Sequence, residues 1–254
     1  MKQRFLTGII LLVIVFFPFY FGGMLLRALV FAACALSAYE LIELRKGRTK
    51  WGLIIFVFLS IIAFYNLSDN YMLITLSFFL IILFMLTIFV EDIQVTDICY
   101  IFTISVILSL AAKSLIVVYD QGYSVLLYLA MACYGCDFGA YIFGYFFGKH
   151  KMIERISPKK TWEGAIGGWA TGFIGSLIFA YFMIDTISFE LLFLCSLLLP
   201  IVAQIGDLSF SAIKRYYGVK DFGTIFPGHG GVLDRIDSLV FCLMFFNAFL
   251  MMVI

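Results

Sequence analysis

The chain has 254 residues, 64% of them hydrophobic, against only 17 basic and 16 acidic side chains. Soluble domains average about half apolar and a quarter charged; at a mean hydropathy of +1.09 there is too little polar surface to clothe one water-facing core. A soluble enzyme, a disordered chain and a secreted disulfide scaffold are thereby excluded. The formal net charge of +1 identifies no partner by itself, and no nucleic acid is expected.

A spanning helix takes about 20 apolar residues. The apolar runs here are continuous rather than alternating, which selects helices over a β-barrel. They predict an all-α polytopic membrane protein with about nine transmembrane helices, at roughly 5–21, 24–44, 51–66, 71–90, 98–118, 123–147, 163–184, 188–212 and 233–254. The basic start, Met1-Lys2-Gln3-Arg4, precedes a run reaching Tyr20, long enough for an uncleaved first helix.

Charge orients these spans. Lys2 and Arg4; Arg45, Lys46, Arg48 and Lys50; Lys149, Lys151, Arg155, Lys159 and Lys160; and Lys214, Arg215, Lys220 and Arg235 all fall on one side, 15 of the 17 basic residues. The opposite loops, 66–70, 120–123 and 185–190, carry none; Arg27 and Lys113 lie at or within spans. The positive-inside rule places the basic loops in the cytoplasm. The N-terminus is then cytoplasmic and, with nine spans, the C-terminus outside. No internal repeat is visible. The expected organisation is a single integral membrane domain over 1–254, with plain lipid-embedded helices over 1–120 and the chemistry over 121–254.

The six cysteines (Cys34, Cys99, Cys133, Cys136, Cys195 and Cys242) sit in apolar runs. Cys133 and Cys136 form a lone C-x-x-C with no second ligand pair, so free thiols are expected rather than a zinc site or a disulfide framework.

Asp137 interrupts the apolar run 131–141. A charge at the bilayer centre costs about 3 kcal/mol on insertion scales, so such a residue usually faces a cavity, a partner or an ion. Tyr141 lies one turn on, on the same face. Ala140, Gly144 and Gly148 form a small-residue stripe, and Gly164, Gly168 and Gly172 form another. The two are expected to pack closely, within one chain or between two as a homodimer. Between them, Ser157-Pro-Lys-Lys-Thr-Trp-Glu-Gly164 places Ser157, Lys159, Lys160 and Thr161 just before a helix start, where free amides and the positive dipole end suit a phosphate. A solvated basic loop that only sets topology is the alternative.

The densest polar stretch runs from Gly206 to Asp237. Asp207 is followed by Ser211, Lys214, Arg215, Lys220 and Asp221, then a glycine-rich turn holding His229, then Asp234, Arg235 and Asp237. Asp234 and Asp237 are spaced i, i+3 and can share a side of a helix. Carboxylates are hard oxygen ligands suited to Mg²⁺ shared with substrate phosphates, and Arg can grip phosphate bidentately. No P-loop, G-x-S-x-G or His-rich metal motif occurs. His229, the one imidazole near the acids, is flanked by glycines and suits a turn or a ligand contact better than a general base. A phosphate monoester needs no dedicated base as a nucleophile, since its second pKa is about 6.

The stretch SAIKRYYGVKDFGTIFPGHGGVLDRID, from Ser211 to Asp237, resembles the signature of phosphatidate cytidylyltransferases (CDP-diacylglycerol synthases). Asp137-Phe-Gly-Ala-Tyr141 and Ser157 to Gly164 agree with it, and the resemblance covers about Tyr134 to the C-terminus. It implies a membrane enzyme that joins CTP and phosphatidic acid into CDP-diacylglycerol and pyrophosphate with Mg²⁺, leaving room for a second monovalent or divalent cation. Asp207 and Asp234 are implied as metal ligands, with Asp137 as a further one and Asp237 as a supporting acid. Lys214 and Arg215 would hold phosphates beside these acids. Ser157, Lys159, Lys160, Thr161, Ser211, Lys220, His229, Arg235 and Tyr141 are the candidate substrate contacts. The implied location is the cytoplasmic membrane, with the active site facing the cytoplasm. Two positions depart from the usual pattern: Phe138 stands where a small hydroxyl residue often follows the intramembrane Asp, and Phe210 where an acid often lies three residues after Asp207. A related transferase acting on another lipid phosphate is the alternative expectation.

Overall fold

The computed structural model describes residues 13–45, 50–67, 71–226, 228 and 230–253. Residues 13–21 are helical (α1). Then come α2 (Gly23–Arg45), α3 (Lys50–Asn66), α4 (Met72–Phe89), α5 (Val95–Asp120), α6 (Tyr123–Phe147), a two-stranded antiparallel hairpin of β1 (Lys151–Ile153) and β2 (Ser157–Thr161), α7 (Trp162–Met183), α8 (Phe189–Tyr216) and α9 (Leu233–Val253). Seven of the helices, α2 and α4 to α9, are long and apolar enough to cross a membrane by length and composition; α3, at 17 residues, is shorter. The expected first span begins outside the described residues. Helix boundaries otherwise fall within a few residues of those read from hydropathy.

Lipid as the outer solvent explains the side-chain distribution. Helix α4 buries only Phe79 and Leu83 and exposes Leu73, Phe78, Phe84, Ile88 and Phe89. In water that surface would be untenable over so many residues; against acyl chains it costs nothing, while the helical backbone satisfies its own polar groups.

The chain divides into two compact units. The first comprises residues 1–113 with 221–234. Its helices pack around Leu26, Leu41, Ile42, Ile61, Leu83 and Ile101, all nearly inaccessible, and Phe79 stacks on Phe56 and Phe102 and meets Phe64 edge-on. At the end of α2, Arg45 pairs with Asp92 at 3.2 Å and Asp97 at 2.9 Å, so the end of α2 and the α4–α5 loop share one side. Lys113, farther along α5, reaches the Leu67 carbonyl at 3.5 Å, beside the α3–α4 connection.

The second unit comprises 114–220 with 235–254. Its centre is the α6–α7 pair, and the two small-residue stripes meet there within one chain. A methyl group built on Gly168 would lie 2.5 Å from the Cys136 carbonyl oxygen and 2.8 Å from Ala140 Cβ, and one on Gly172 2.7 Å from the Ala132 oxygen. Helix α8 joins through side chains that bond to backbone. Tyr128 is fully buried, with its hydroxyl donating to the Leu192 carbonyl at 2.8 Å. Trp169 Nε1 donates to Leu197 O at 2.9 Å, and Gln204 Nε2 to Ala165 O at 2.9 Å. Pro200 lies inside α8 and cannot donate to the helix ladder. Thr186, between α7 and α8, bonds the Gln121 carbonyl between α5 and α6 at 3.4 Å, so those two connections also share a side.

The hairpin amends the all-α expectation. Lys151 to Thr161 pair with a register irregularity, Lys151 opposite Thr161 and Ile153 opposite Ser157. The stretch carries no apolar alternation to announce a strand. Its ends are fixed locally instead: the Trp162 amide donates to His150 O at 3.0 Å, and Thr161 caps α7 by accepting from Gly164 N at 3.2 Å.

Candidate active site

Four elements of the second unit converge their charged side chains. Helix α6 carries Asp137, β2 carries Lys160, α8 carries Asp207 and Lys214, and α9 carries Asp237. Lys160 Nζ forms an ion pair with Asp207 Oδ2 and also attracts Asp137 electrostatically. Lys214 Nζ lies 4.0 Å from Asp237 Oδ2. The Asp137, Asp207 and Asp237 carboxylates are near enough to repel one another. Three acids and two lysines thus form one polar cluster in a unit otherwise built for lipid.

The sequence places each of them. Lys214 is nearly inaccessible and lies in the last turn of α8 with Arg215, where the helix dipole favours cations. The close approach of α8 and α9 occurs at Gly206, where an added methyl would meet the Asp237 oxygen at 3.1 Å and Phe241 Cβ at 3.1 Å. That brings Asp207 and Asp237 to adjoining turns. Phe210 is buried and packs edge-on against Phe241, so at this position the usual acid is replaced by helix packing. Phe138 is exposed.

Some candidate contacts serve the scaffold. Arg215 Nε donates to the Ile156 carbonyl at 3.1 Å and its Nη1 to Val219 O at 2.7 Å, fixing the hairpin turn to the end of α8. Thr161 is buried and occupied as the α7 cap, and Ser211 is buried in α8. Ser157 is half-buried, and Lys159, Lys220, Arg235 and Tyr141 are exposed. His229 lies outside the described residues.

Asp234 belongs to the first unit. Its Oδ2 accepts from Phe222 N at 2.8 Å and Gly231 N at 2.9 Å, closing the segment 221–234 onto the first turn of α9. Two features escaped the sequence reading. Glu163 gathers the Lys149 amide at 3.1 Å, the His150 amide and His150 Nδ1 at 2.5 Å. In the first unit, Glu40 is buried within α2; an acid inside an apolar run was the signal, the same one that singled out Asp137.

Comparison with known proteins decides the family. Residues 2–253 match the profile of the cytidylyltransferase family. The chain belongs to this family. Among relatives, a phosphatidate cytidylyltransferase of Bacillus subtilis is 32% identical over 258 residues, 96% of each chain. That of Staphylococcus haemolyticus is 44% identical over 131 residues, 52% of this chain and 50% of the relative. That of Staphylococcus saprophyticus is 42% identical over 134 residues, 53% and 52% respectively. The chain thus spans about half the length of the staphylococcal relatives it matches and nearly all of the Bacillus one.

The donor set suits the cation that cytidylyl transfer implies. Among the described residues no three His, Cys, Asp or Glu side chains converge into one metal-holding group. The aspartates present are nonetheless hard oxygen donors. This is the usual provision for Mg²⁺ when substrate phosphates complete its shell.

Proposed function

We propose that the chain is a multi-pass membrane enzyme that transfers CMP from CTP to phosphatidic acid, giving CDP-diacylglycerol and pyrophosphate. The observation that carries this reading is the cluster of Asp137, Asp207 and Asp237 with Lys160 and Lys214 in a unit of lipid-facing helices. The full-length likeness to the Bacillus subtilis phosphatidate cytidylyltransferase supports it. The phosphatidate phosphate is the nucleophile. One of its oxygens attacks the α-phosphorus of CTP in line, a new P–O bond forms, the bond to the β-phosphate bridging oxygen breaks, and the electron pair leaves with pyrophosphate. The attacking monoester is already largely anionic at neutral pH, so the protein's tasks are positioning and charge stabilisation.

Lys160 and Lys214 supply fixed positive charge to phosphate oxygens, and the hairpin carrying Lys160 is held by Arg215 and the Thr161 cap. Asp207 and Asp137 are the acids of the cluster that would offer carboxylate oxygens to Mg²⁺, and Asp234, in the first unit, is a further candidate in its own right; the ion when bound would neutralise triphosphate oxygens and polarise the reacting phosphorus. Nine spans with the N-terminus cytoplasmic put the basic hairpin and the end of α8 on the side where CTP is found. Loop pairings within each unit agree with that alternation: Arg45 with Asp92 and Asp97, and Arg215 with Ile156.

The test is release of pyrophosphate and formation of CDP-lipid from CTP and phosphatidic acid by purified, detergent-solubilised protein, with and without Mg²⁺. Mg²⁺-dependent product is expected, and Asp234→Asn is expected to fold and to lose turnover. No product from folded wild-type protein, or product only with another lipid acceptor, overturns the substrate assignment; near-normal turnover of Asp234→Asn overturns that residue's metal role.

A further inference from the structure

Glu40 is 1% exposed, and the reaction as drawn gives it no task. Each of its carboxylate oxygens nonetheless holds a backbone amide. Oε1 accepts from Val232 N at 2.8 Å and Oε2 from Leu233 N at 3.0 Å, capping the start of α9 from within α2. Asp234 takes the neighbouring amides of Phe222 and Gly231. Two carboxylates thus take four amides of the segment 221–234. The loop backbone is also shaped to the Glu40 side chain. A methyl group on Gly231 would lie 2.5 Å from Glu40 Cδ, and one on Gly223 3.0 Å from its Oε1, so only glycine lets the chain approach this closely.

A carboxylate is needed for this geometry. Two acceptor oxygens meet two donors; a carboxamide would turn an NH₂ against one of the N–H groups, and an alanine would leave both amides buried without a partner. An acid buried at this depth is costly unless its hydrogen bonds are complete. Here they are spent on the segment that presents Asp234.

We propose that Glu40 is a positioning residue for the reaction: from the second helix it locks the segment 221–234 and thereby sets the carboxylate of Asp234. This rests on the reading of the chain as a CTP:phosphatidate cytidylyltransferase with Asp234 among its metal-holding acids. Glu40 touches neither substrate; it acts through the loop.

The experiment uses the full chain in detergent, as wild type, Glu40→Gln and Glu40→Ala, and measures peptide-resolved amide exchange and steady-state kinetics on the same samples. In Glu40→Gln, exchange in 221–234 is expected to rise about tenfold, equivalent to one net hydrogen bond, with the other helices unchanged. A drop in kcat on the order of 10²-fold is expected, the scale of a roughly 1 Å misplacement. The KM values for CTP and phosphatidate should hold, and the Mg²⁺ concentration for half-activation should rise. Glu40→Ala should be the more severe on every measure. Uniformly faster exchange with wild-type kcat in the folded fraction overturns the proposal, because Glu40 would then only stabilise the fold; so does unchanged exchange in 221–234. Should the Glu40 variants fail to fold, Gly231→Ala disturbs the same contact from the loop side and must give the same local pattern. Wild-type protein that makes no CDP-lipid refutes the activity reading, whereas selective loosening of 221–234 in Glu40→Gln still supports the lock.

Discussion

Replacing Gly168 by alanine tests whether the α6–α7 seam is what holds the polar cluster together. A methyl group at this position has nowhere to go. It would stand 2.5 Å from the Cys136 carbonyl oxygen, 2.8 Å from Ala140 Cβ and 3.0 Å from the Ala140 amide nitrogen. Two of these are backbone atoms of α6, so no rotamer change relieves the overlap and the helices must separate. Overpacking of this kind costs about 1–3 kcal/mol. It also opposes the gain of about 1 kcal/mol that alanine brings over glycine inside a helix. Gly175 on the same helix is the control, because its added methyl would meet only Met131 Cε at 3.8 Å. Gly175→Ala should be neutral or stabilising by up to about 1 kcal/mol; that gain is common to both changes, so the two variants should differ by the overpacking cost, about 1–3 kcal/mol in stability. At roughly 2–4 °C per kcal/mol for a chain of this size, thermal melts in detergent should place Gly168→Ala clearly below Gly175→Ala. The cluster should feel the separation too, since Asp137 follows Cys136 directly. CDP-lipid formation is expected to fall in Gly168→Ala and to hold in Gly175→Ala. Equal melting temperatures and equal turnover would refute the close-packed seam.

Two further outcomes follow from single side chains. Lys160→Met removes the partner of Asp207 and the fixed charge proposed to face phosphate; kcat is expected to drop on the order of 10²-fold, as for loss of one charge-stabilising donor, with Lys160→Arg retaining part of it, and an unchanged pH-7 turnover of Lys160→Met would remove Lys160 from the site. Of the six free cysteines only Cys99 is exposed, so a membrane-impermeant maleimide should label that thiol alone. The proposed topology sets Cys99 near the cytoplasmic end of α5, so inside-out vesicles should label and right-side-out vesicles should not; the reverse result would invert the orientation.

The spans were legible because lipid imposes one demand, continuous apolar length, and every helix from α2 to α9 obeys it except the shorter α3. The α6–α7 seam was legible for a related reason: small residues at Ala140, Gly144, Gly148 and at Gly164, Gly168, Gly172 recur every four positions, and only close helix approach uses that spacing. The hairpin was not legible. Its 3-residue and 5-residue strands are held by side chains on helix ends, such as Arg215 on Ile156, and not by an apolar face that would print an alternation. In the polar cluster, Asp137, Asp207, Asp237, Lys160 and Lys214 were legible as residue types, while the particular pairings were not, because pairing depends on where four separate elements converge.

Glu40 and Asp137 make the sharpest contrast. Both are acids within apolar runs, where a charge at bilayer depth is costly. Asp137 draws notice because it interrupts the middle of an apolar run, whereas Glu40 lies near the polar end of its own, close to Glu43 and Arg45. The partners of Glu40 are backbone amides of Val232 and Leu233, 192 and 193 residues away. A backbone amide carries no residue type, so a carboxylate that binds one leaves no matching signal at the other end. What remains visible are the glycines that make room, Gly223 and Gly231, and glycine has too many other uses to identify a partner. An acid in an apolar segment whose partner cannot be found among side chains is therefore best sought against a distant loop or helix start. In this chain that search leads directly to the segment presenting Asp234.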